Sequence, residues 1–575
     1  MLHFIFRILF VAFGLGLLSA ASAQTPGSIV PGANYGPIPD GAAAGPLAYG
    51  EPRDIFFNVS NRTGSIDVVR VFFRANHSFV GDLKVQLIAP DGRSHLLFER
   101  TGATSGTSAG FGSNLIDSVQ YFFGDDFSGV TGTNWWTAAD VAGDIGQVNL
   151  FATVVSGGPG VNIPAPVTSM TETFRSTEPN GTWILRFEDG WQGDSGEVTE
   201  AELVIEATGV DRPVSMLNDA GPGSLREAIT LAQPGDAIRL PSGTPGQLEF
   251  INLQSALPPL PDGVGIFGPG SVQLLIQGAS QKSFRIFDVP DDHHVTVSGL
   301  WLNNGRAAQE TGGGLRNRGI LTLVDTRFTN HSARNGGAIA GDNGRLTILR
   351  STVSENVAEF GVAGILLRGN SRTLISDTVI NGQLAGSRAQ EAVTVLAQGG
   401  SETTLTLQNS TLTNLNGESN ELGLTVTTQG AGSRAHVTIA NTLLQSATNL
   451  RLLTFGGAEP PVVVSRGFNL ASDEASNVLT QVGDQINTDA RLQPANIFSD
   501  GSSYFLGNGS PAIDSGRARG PAVLELRGSG FERTVDLDDA DYPNPNGSDA
   551  SDIGAVEMQT PPLGDTLFRD RFAEE

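Results

Sequence analysis

The sequence contains no cysteine. That excludes disulfides, Cys-ligated zinc and thiol catalysis, so the fold must rest on burial, sheet hydrogen bonds or metals. Methionine (4 residues) and lysine are scarce, and charged residues make up only 17% of the chain. Basic charge is in deficit: 35 Lys and Arg face 60 Asp and Glu, a formal charge of −25 at pH 7. Nucleic acid and anionic membrane surfaces both demand a cationic face, so neither is an expected partner. The same excess suits divalent cations, which take carboxylate and carbonyl oxygens; it also serves plain solubility. What is abundant is glycine, 73 residues. Together with Thr, Val, Leu and Asn it makes a composition suited to β-structure with tight turns.

Arg7 is the only charge in the first 23 residues, and an apolar run from Ile8 to Leu18 follows it. Ser19-Ala20-Ala21-Ser22-Ala23 then supplies small residues at a cleavage site, so residues 1–23 read as a secretory signal. The run is shorter than the roughly 20 residues that span a bilayer, and no later segment is apolar enough to cross. The expected product is secreted or held at the outer cell surface, and is not an integral membrane protein.

Residues 35–208 carry short strand signals divided by Gly and Asp turns. In Asp82-Leu-Lys-Val-Gln-Leu-Ile-Ala, Leu83, Val85 and Leu87 share one face. Pro90-Asp91-Gly92 is a turn, because Pro presets φ and Gly accepts φ > 0, and the strand resumes at His95. Such a series indicates a β-sandwich. The segments His77-Ser-Phe-Val-Gly-Asp-Leu83, Leu87-Ile-Ala-Pro-Asp-Gly92, Asn180-Gly-Thr-Trp-Ile-Leu-Arg-Phe-Glu-Asp189 and Gly193-Asp-Ser-Gly196 together resemble the P (Homo B) domain of proprotein convertases. That resemblance implies a jelly-roll-like sandwich that commonly accompanies a subtilisin-like catalytic domain, with calcium in some members. No such catalytic domain is present in this sequence. Gly106-Thr-Ser108-Ala imitates a subtilisin nucleophile segment but lies in a Gly/Ser/Thr loop with no long helix after it. A flexible turn is the better reading, since a triad needs a base held within reach of the serine. Asp82, Asp125, Asp126, Asp189 and Asp194 fall at strand ends or in loops and are the candidate Ca2+ ligands. Ordinary turn and solvated-loop carboxylates are the alternative.

Residues 209–558 are a repeat domain. Ser224 with Glu227 three residues later forms a capping box, so a short helix should run from there to about Ala232, stopped by Pro234-Gly235. It would cover the open end of the array that follows. Self-similar segments then start at Thr296, Thr322, Thr347, Thr373, Thr406 and Thr438, at steps of 26, 25, 26, 33 and 32 residues. Each is a pair of short strands around a polar corner, and Gly312-Gly-Gly-Leu and Gly336-Gly-Ala-Ile begin a third strand. A unit this small cannot bury its apolar face alone, but stacked units can. The opening Asn218-Asp-Ala-Gly-Pro-Gly-Ser-Leu-Arg-Glu-Ala-Ile229, the glycine-rich coils, and the closing segments Gly509–Gly516 and Ser551–Glu557 resemble the bacterial choice-of-anchor and polymorphic-outer-membrane-protein-like β-helix group. The resemblance implies a right-handed parallel β-helix. The expected fold class is therefore all-β, a sandwich followed by a β-helix, with residues 559–575 as a tail beyond Pro561-Pro562.

For function, the expectation is an adhesin-like binding protein that takes a glycan or protein ligand. One alternative is a β-helix polysaccharide-degrading enzyme, for which Asp325, Arg327, Arg350, Glu355, Arg368 and Asp377 are the candidate residues. Another is an accessory protein related to subtilisin-like endopeptidases. The oxygen-rich stretch from Asp536 to Asp552 lacks the order of an EF-hand loop and reads as a calcium-tied or solvated turn.

Overall fold

The computed structural model describes residues 29–41, 49–103, 108–125, 133–146, 150–154, 167–243, 247–381, 391–413, 422–495, 503–507, 509–513, 515–516 and 553–555. The signal segment, Asp126, the Asp536–Asp552 stretch and the tail lie outside these residues.

The chain is all-β in two parts. The first is built from two antiparallel-rich sheets. One places Gly196–Glu206 between Ile29–Pro31 and Val68–His77, and continues to Tyr121–Phe123. The other runs in the order Arg53–Val59, Gly181–Asp189, Leu83–Ile88, Ser94–Glu99. Strand Ile29–Pro31 pairs with Glu202–Val204, so the sheet begins ahead of residue 35. The alternation in Val68–His77 buries every second side chain. Phe57, Phe73, Phe98, Phe123, Trp135, Trp183 and Phe187 fill the space between the sheets. The Pro90-Asp91-Gly92 hairpin forms with Gly92 at φ +82°.

The second part is a parallel β-solenoid. Its sheets hold ten, nine and seven strands, with a three-stranded sheet inserted at one corner. Each coil contributes one strand per sheet, and equivalent side chains stack rung on rung. Val297, Leu323, Ile348, Ile375, Leu407 and Ile439 form one inward column, all fully buried. Leu302, Phe328, Val353, Ile380, Leu412 and Leu444 form a second. Leu315, Ile339, Ile365, Val393, Leu424 and Leu450 form the third. Rungs lie about 4.8 Å apart, so each aliphatic group meets its equivalents above and below.

The polar corner between the first two sheets repeats just as strictly. Asp325, Arg350, Asp377, Asn409, Asn441 and Phe468 all adopt left-handed backbone, with φ between 44° and 57°. Each is followed by a buried residue with a short oxygen-bearing side chain: Thr326, Ser351, Thr378, Ser410, Thr442 and Asn469. These side chains accept the backbone N–H of the preceding rung: Ser351 from Thr326 (3.1 Å), Thr378 from Ser351 (3.3 Å), Ser410 from Thr378 (3.3 Å) and Asn469 from Thr442 (3.0 Å). Turns that cannot close a sheet ladder are thereby satisfied from the next coil. The corner also corrects the sequence register. Thr347 pairs with Leu374, not with Thr373, because the corner advances from Arg350 to Asp377.

Helix Leu225–Leu231 caps the first coil as expected. The Ser224 hydroxyl accepts from Glu227 N–H at 3.2 Å, and Leu225, Ala228 and Ile229 join the solenoid core. At the far end, Ile513 and Ile553 from the closing segments pack with Leu443 and Leu470. The two parts are docked through polar contacts. Arg175 donates to Asp262 (3.1 Å) and to His294 Nδ1 (2.9 Å), Ser65 Oγ donates to the Gly263 carbonyl (3.2 Å), and Arg239 pairs with Glu178.

Truncating one member of an inward column leaves a cavity flanked by rungs that cannot collapse. Ile348→Ala is expected to lower unfolding free energy by about 2–5 kcal/mol in chemical denaturation. Exposed Glu402→Ala is expected to stay within about 0.5 kcal/mol of wild type. Equal effects from the two would contradict the stacked core.

Candidate functional site

A cleft of about 470 Å³ opens where the three-stranded sheet meets the seven-stranded one. Strand Arg306–Thr311 brings Gln309, Glu310 and Thr311; Ser332–Asn335 brings Arg334 and Asn335; Phe360 follows Val357–Ala358. From the seven-stranded sheet come Arg316 and Arg368. The glycine-rich turns recognised in the sequence make this corner possible. Gly312 and Gly336 have φ of +71° and +59°, and a Cβ on Gly313 would lie 2.4 Å from the Ser332 carbonyl oxygen. No larger residue fits such an approach of backbone to backbone.

The cleft is ordered by ion pairs. Arg316 grips Asp288 through two contacts (2.8 and 3.2 Å), and Glu310 lies 3.4 Å from Arg316 and 2.9 Å from Arg285. Arg368 grips Asp342 at 2.6 and 3.0 Å, and Thr311 Oγ1 donates to the same carboxylate at 3.3 Å. Arg334 sits 5.1 Å above the ring of Phe360, which is 39% exposed. The side chains present an apolar face, amides, guanidinium forks and a carboxylate to one space. That set can bind a ring that has both a hydrophobic face and hydroxyls.

Of the six residues singled out on the solenoid, only Arg368 lines this cleft. Asp325, Arg350 and Asp377 are the left-handed corner residues, and Arg350 clasps Asp325 at 3.0 Å through two nitrogens. Arg327 is buried against Trp301, 4.6 Å from its ring centroid, and Glu355 holds a left-handed turn at φ 57°. Sequence reading missed Glu310, Arg316, Arg334 and Phe360. The usable signal was their position beside the paired glycines.

In the sandwich, Asp82, Asp189 and Asp194 do converge, while Asp125 lies elsewhere. Asp125 accepts from Ser169 Oγ (2.9 Å), Met170 N–H (2.9 Å) and Thr171 N–H, and so caps the helix Met170–Phe174. Asp189 binds His77 Nε2 (3.0 Å) and Trp191 N–H (3.0 Å), and Ser78 Oγ donates to Asp194 (2.7 Å). Burial, then the charges of Asp189 and Asp194, push the Asp82 pKa up to about 8. Among the described residues, no group of three or more His, Asp or Glu side chains is spaced to hold a metal ion. Ser108 adjoins Asp82 and Arg100, but among the described residues no imidazole hydrogen-bonds its hydroxyl, so no triad is assembled there.

No protein-family model matches the chain, and no curated protein matches it. Four solved chains match. The catalytic domain of a GH87 α-1,3-glucanase in complex with nigerose is 11% identical with a TM-score of 0.24, covering 80% of this chain and 98% of that one. The Agl-KA catalytic domain is 11% identical with a TM-score of 0.17, covering 78% and 98%. Likeness at this level says nothing of what this chain binds or cleaves.

Between pH 3.8 and about 8, the unfolded chain releases the Asp82 proton and the folded chain keeps it. The stability this group contributes is therefore full below pH 3.8 and is lost as pH rises toward 8. Asp82→Asn is expected to raise the melting temperature at pH 8 and to leave it nearly unchanged at pH 4. A difference that persists undiminished on acidification contradicts the assignment.

Proposed function

We propose that this chain is an exported, adhesin-like glycan-binding protein whose ligand lies in the cleft around Arg334 and Phe360. The observation that carries the reading is the pairing of a half-exposed aromatic ring with polar forks inside one cleft. A sugar ring has C–H groups on its faces and hydroxyls at its rim. The Phe360 ring suits the first, and Gln309, Asn335 and Glu310 suit the second. Arg316 and Arg368 are fixed in place by their ion pairs with Asp288 and Asp342, which reduces the ordering cost on binding.

Polysaccharide cleavage is the second reading, favoured by Glu310 in the lining of the cleft and by Asp342 buried behind it, bound to Arg368 and Thr311. Hydrolysis of a glycosidic bond uses two carboxylates, one as acid and one as base or nucleophile. Here both are engaged by guanidinium groups, Glu310 by Arg285 and Arg316 and Asp342 by Arg368, which favours holding a ligand over turning it over.

Calorimetric titration of the mature chain against a glycan panel tests the main reading. A defined glycan is expected to bind. Phe360→Ala is expected to weaken it about tenfold or more, roughly 1.4 kcal/mol, with little change in melting temperature. Failure of every glycan to bind sinks the proposal. Release of reducing ends that disappears in Glu310→Gln would move the assignment to the enzyme.

A further inference from the structure

The charge within the cleft runs opposite to the charge of the chain. The whole protein carries −25, yet among the described residues the cleft is lined by Arg316, Arg334 and Arg368 against one lining carboxylate, Glu310, with Asp288 and Asp342 behind the first and last of these arginines. Two of these cations are already committed, Arg316 to Asp288 and Glu310, and Arg368 to Asp342. Arg334 is different. Among the described residues no carboxylate lies within ion-pair distance of its guanidinium. Its side chain is exposed and rests on the Phe360 ring.

The platform is built rather than incidental. Phe360 N–H donates to the Arg334 carbonyl at 3.0 Å, and Glu359 N–H donates to the Ala333 carbonyl at 3.0 Å. In its hydrogen-bonding orientation the Asn335 amide nitrogen donates to the carbonyls of Phe360 (2.9 Å) and Arg334 (3.2 Å). The ring and the cation are thus held one above the other by the backbone of two adjacent coils. Stacking leaves the edge of a guanidinium, with its forked N–H groups, free to face a ligand. That fork matches the two oxygens of a carboxylate.

We propose that the cleft selects a glycan bearing carboxylates, a uronic-acid chain, and that Arg334 is the residue that reads the charge. The inference rests on the glycan reading above and narrows its ligand class. An acidic chain repels a polyanion at long range, so a cationic cleft is needed to reverse the sign locally. Beyond a Debye length of about 8 Å at physiological salt the repulsion is screened, and the local pair decides binding.

The test is calorimetric titration of the mature chain with three probes of matched length: oligogalacturonate, neutral galacto-oligosaccharide and dextran sulfate. Oligogalacturonate is expected to bind at least tenfold more tightly than the neutral chain. In Arg334→Gln the ratio of the two affinities is expected to fall to near one, and Arg334→Lys, which keeps the charge but loses the fork, is expected to restore it in part. The melting temperature reports folding of both variants. Equal affinity for charged and neutral chains in the wild type, or a ratio unchanged by Arg334→Gln, overturns the proposal while leaving the glycan reading intact. Dextran sulfate binding as tightly as oligogalacturonate overturns selection for carboxylate. Binding of none of the three and of no other glycan overturns both.

Discussion

The structure depends on one repeated contact, that of a side chain with its own equivalent one rung away. Three apolar columns run up the solenoid, and a fourth column, of hydroxyl and amide oxygens, runs up its corner from Ser351 to Asn469. The apolar columns supply the driving force, since apolar area is removed from water at every step. The corner column supplies the geometry. A left-handed residue turns the chain from one sheet to the next, and the oxygen after it satisfies the N–H that the turn leaves without a sheet partner. With no cysteine, the protein is held together by such burial and pairing rather than by covalent bridges.

The same repetition places the cleft. Where the third sheet would follow the second directly, glycine pairs allow a short extra sheet to bulge outward. Its strands hold Glu310, Arg334 and, just beyond the last of them, Phe360, over arginines that project from the next sheet. The docking of the sandwich onto the solenoid, through Arg175, Ser65 and Arg239, holds the two parts together.

Much of the fold was legible because it is periodic. The capping box at Ser224, the hairpin at Pro90-Asp91-Gly92 and the coil repeats each rest on local chemistry that a sequence displays. The register slip at Thr373 shows the limit. Similar letters aligned Thr347 with Thr373, but the left-handed corner, which no letter marks uniquely, placed Leu374 there. The candidate site was less legible. Asp325, Arg350 and Asp377 share a register because the corner needs them there, and charge at a repeated position reflects that turn. Asp125 looked like a metal ligand and is a helix cap, because its partners lie more than forty residues away. Arg334 and Phe360 come from different coils, so their stacking exists only once the rungs are laid down.

Native-state hydrogen exchange tests the stacked array most directly. The amides of strands 320–324, 345–349 and 372–376 are expected to exchange as one block, only through global opening, and to resist exchange equally along the three rungs. Rapid or independent exchange of any one of these strands, with its neighbours still protected, would contradict a core in which each rung holds the next.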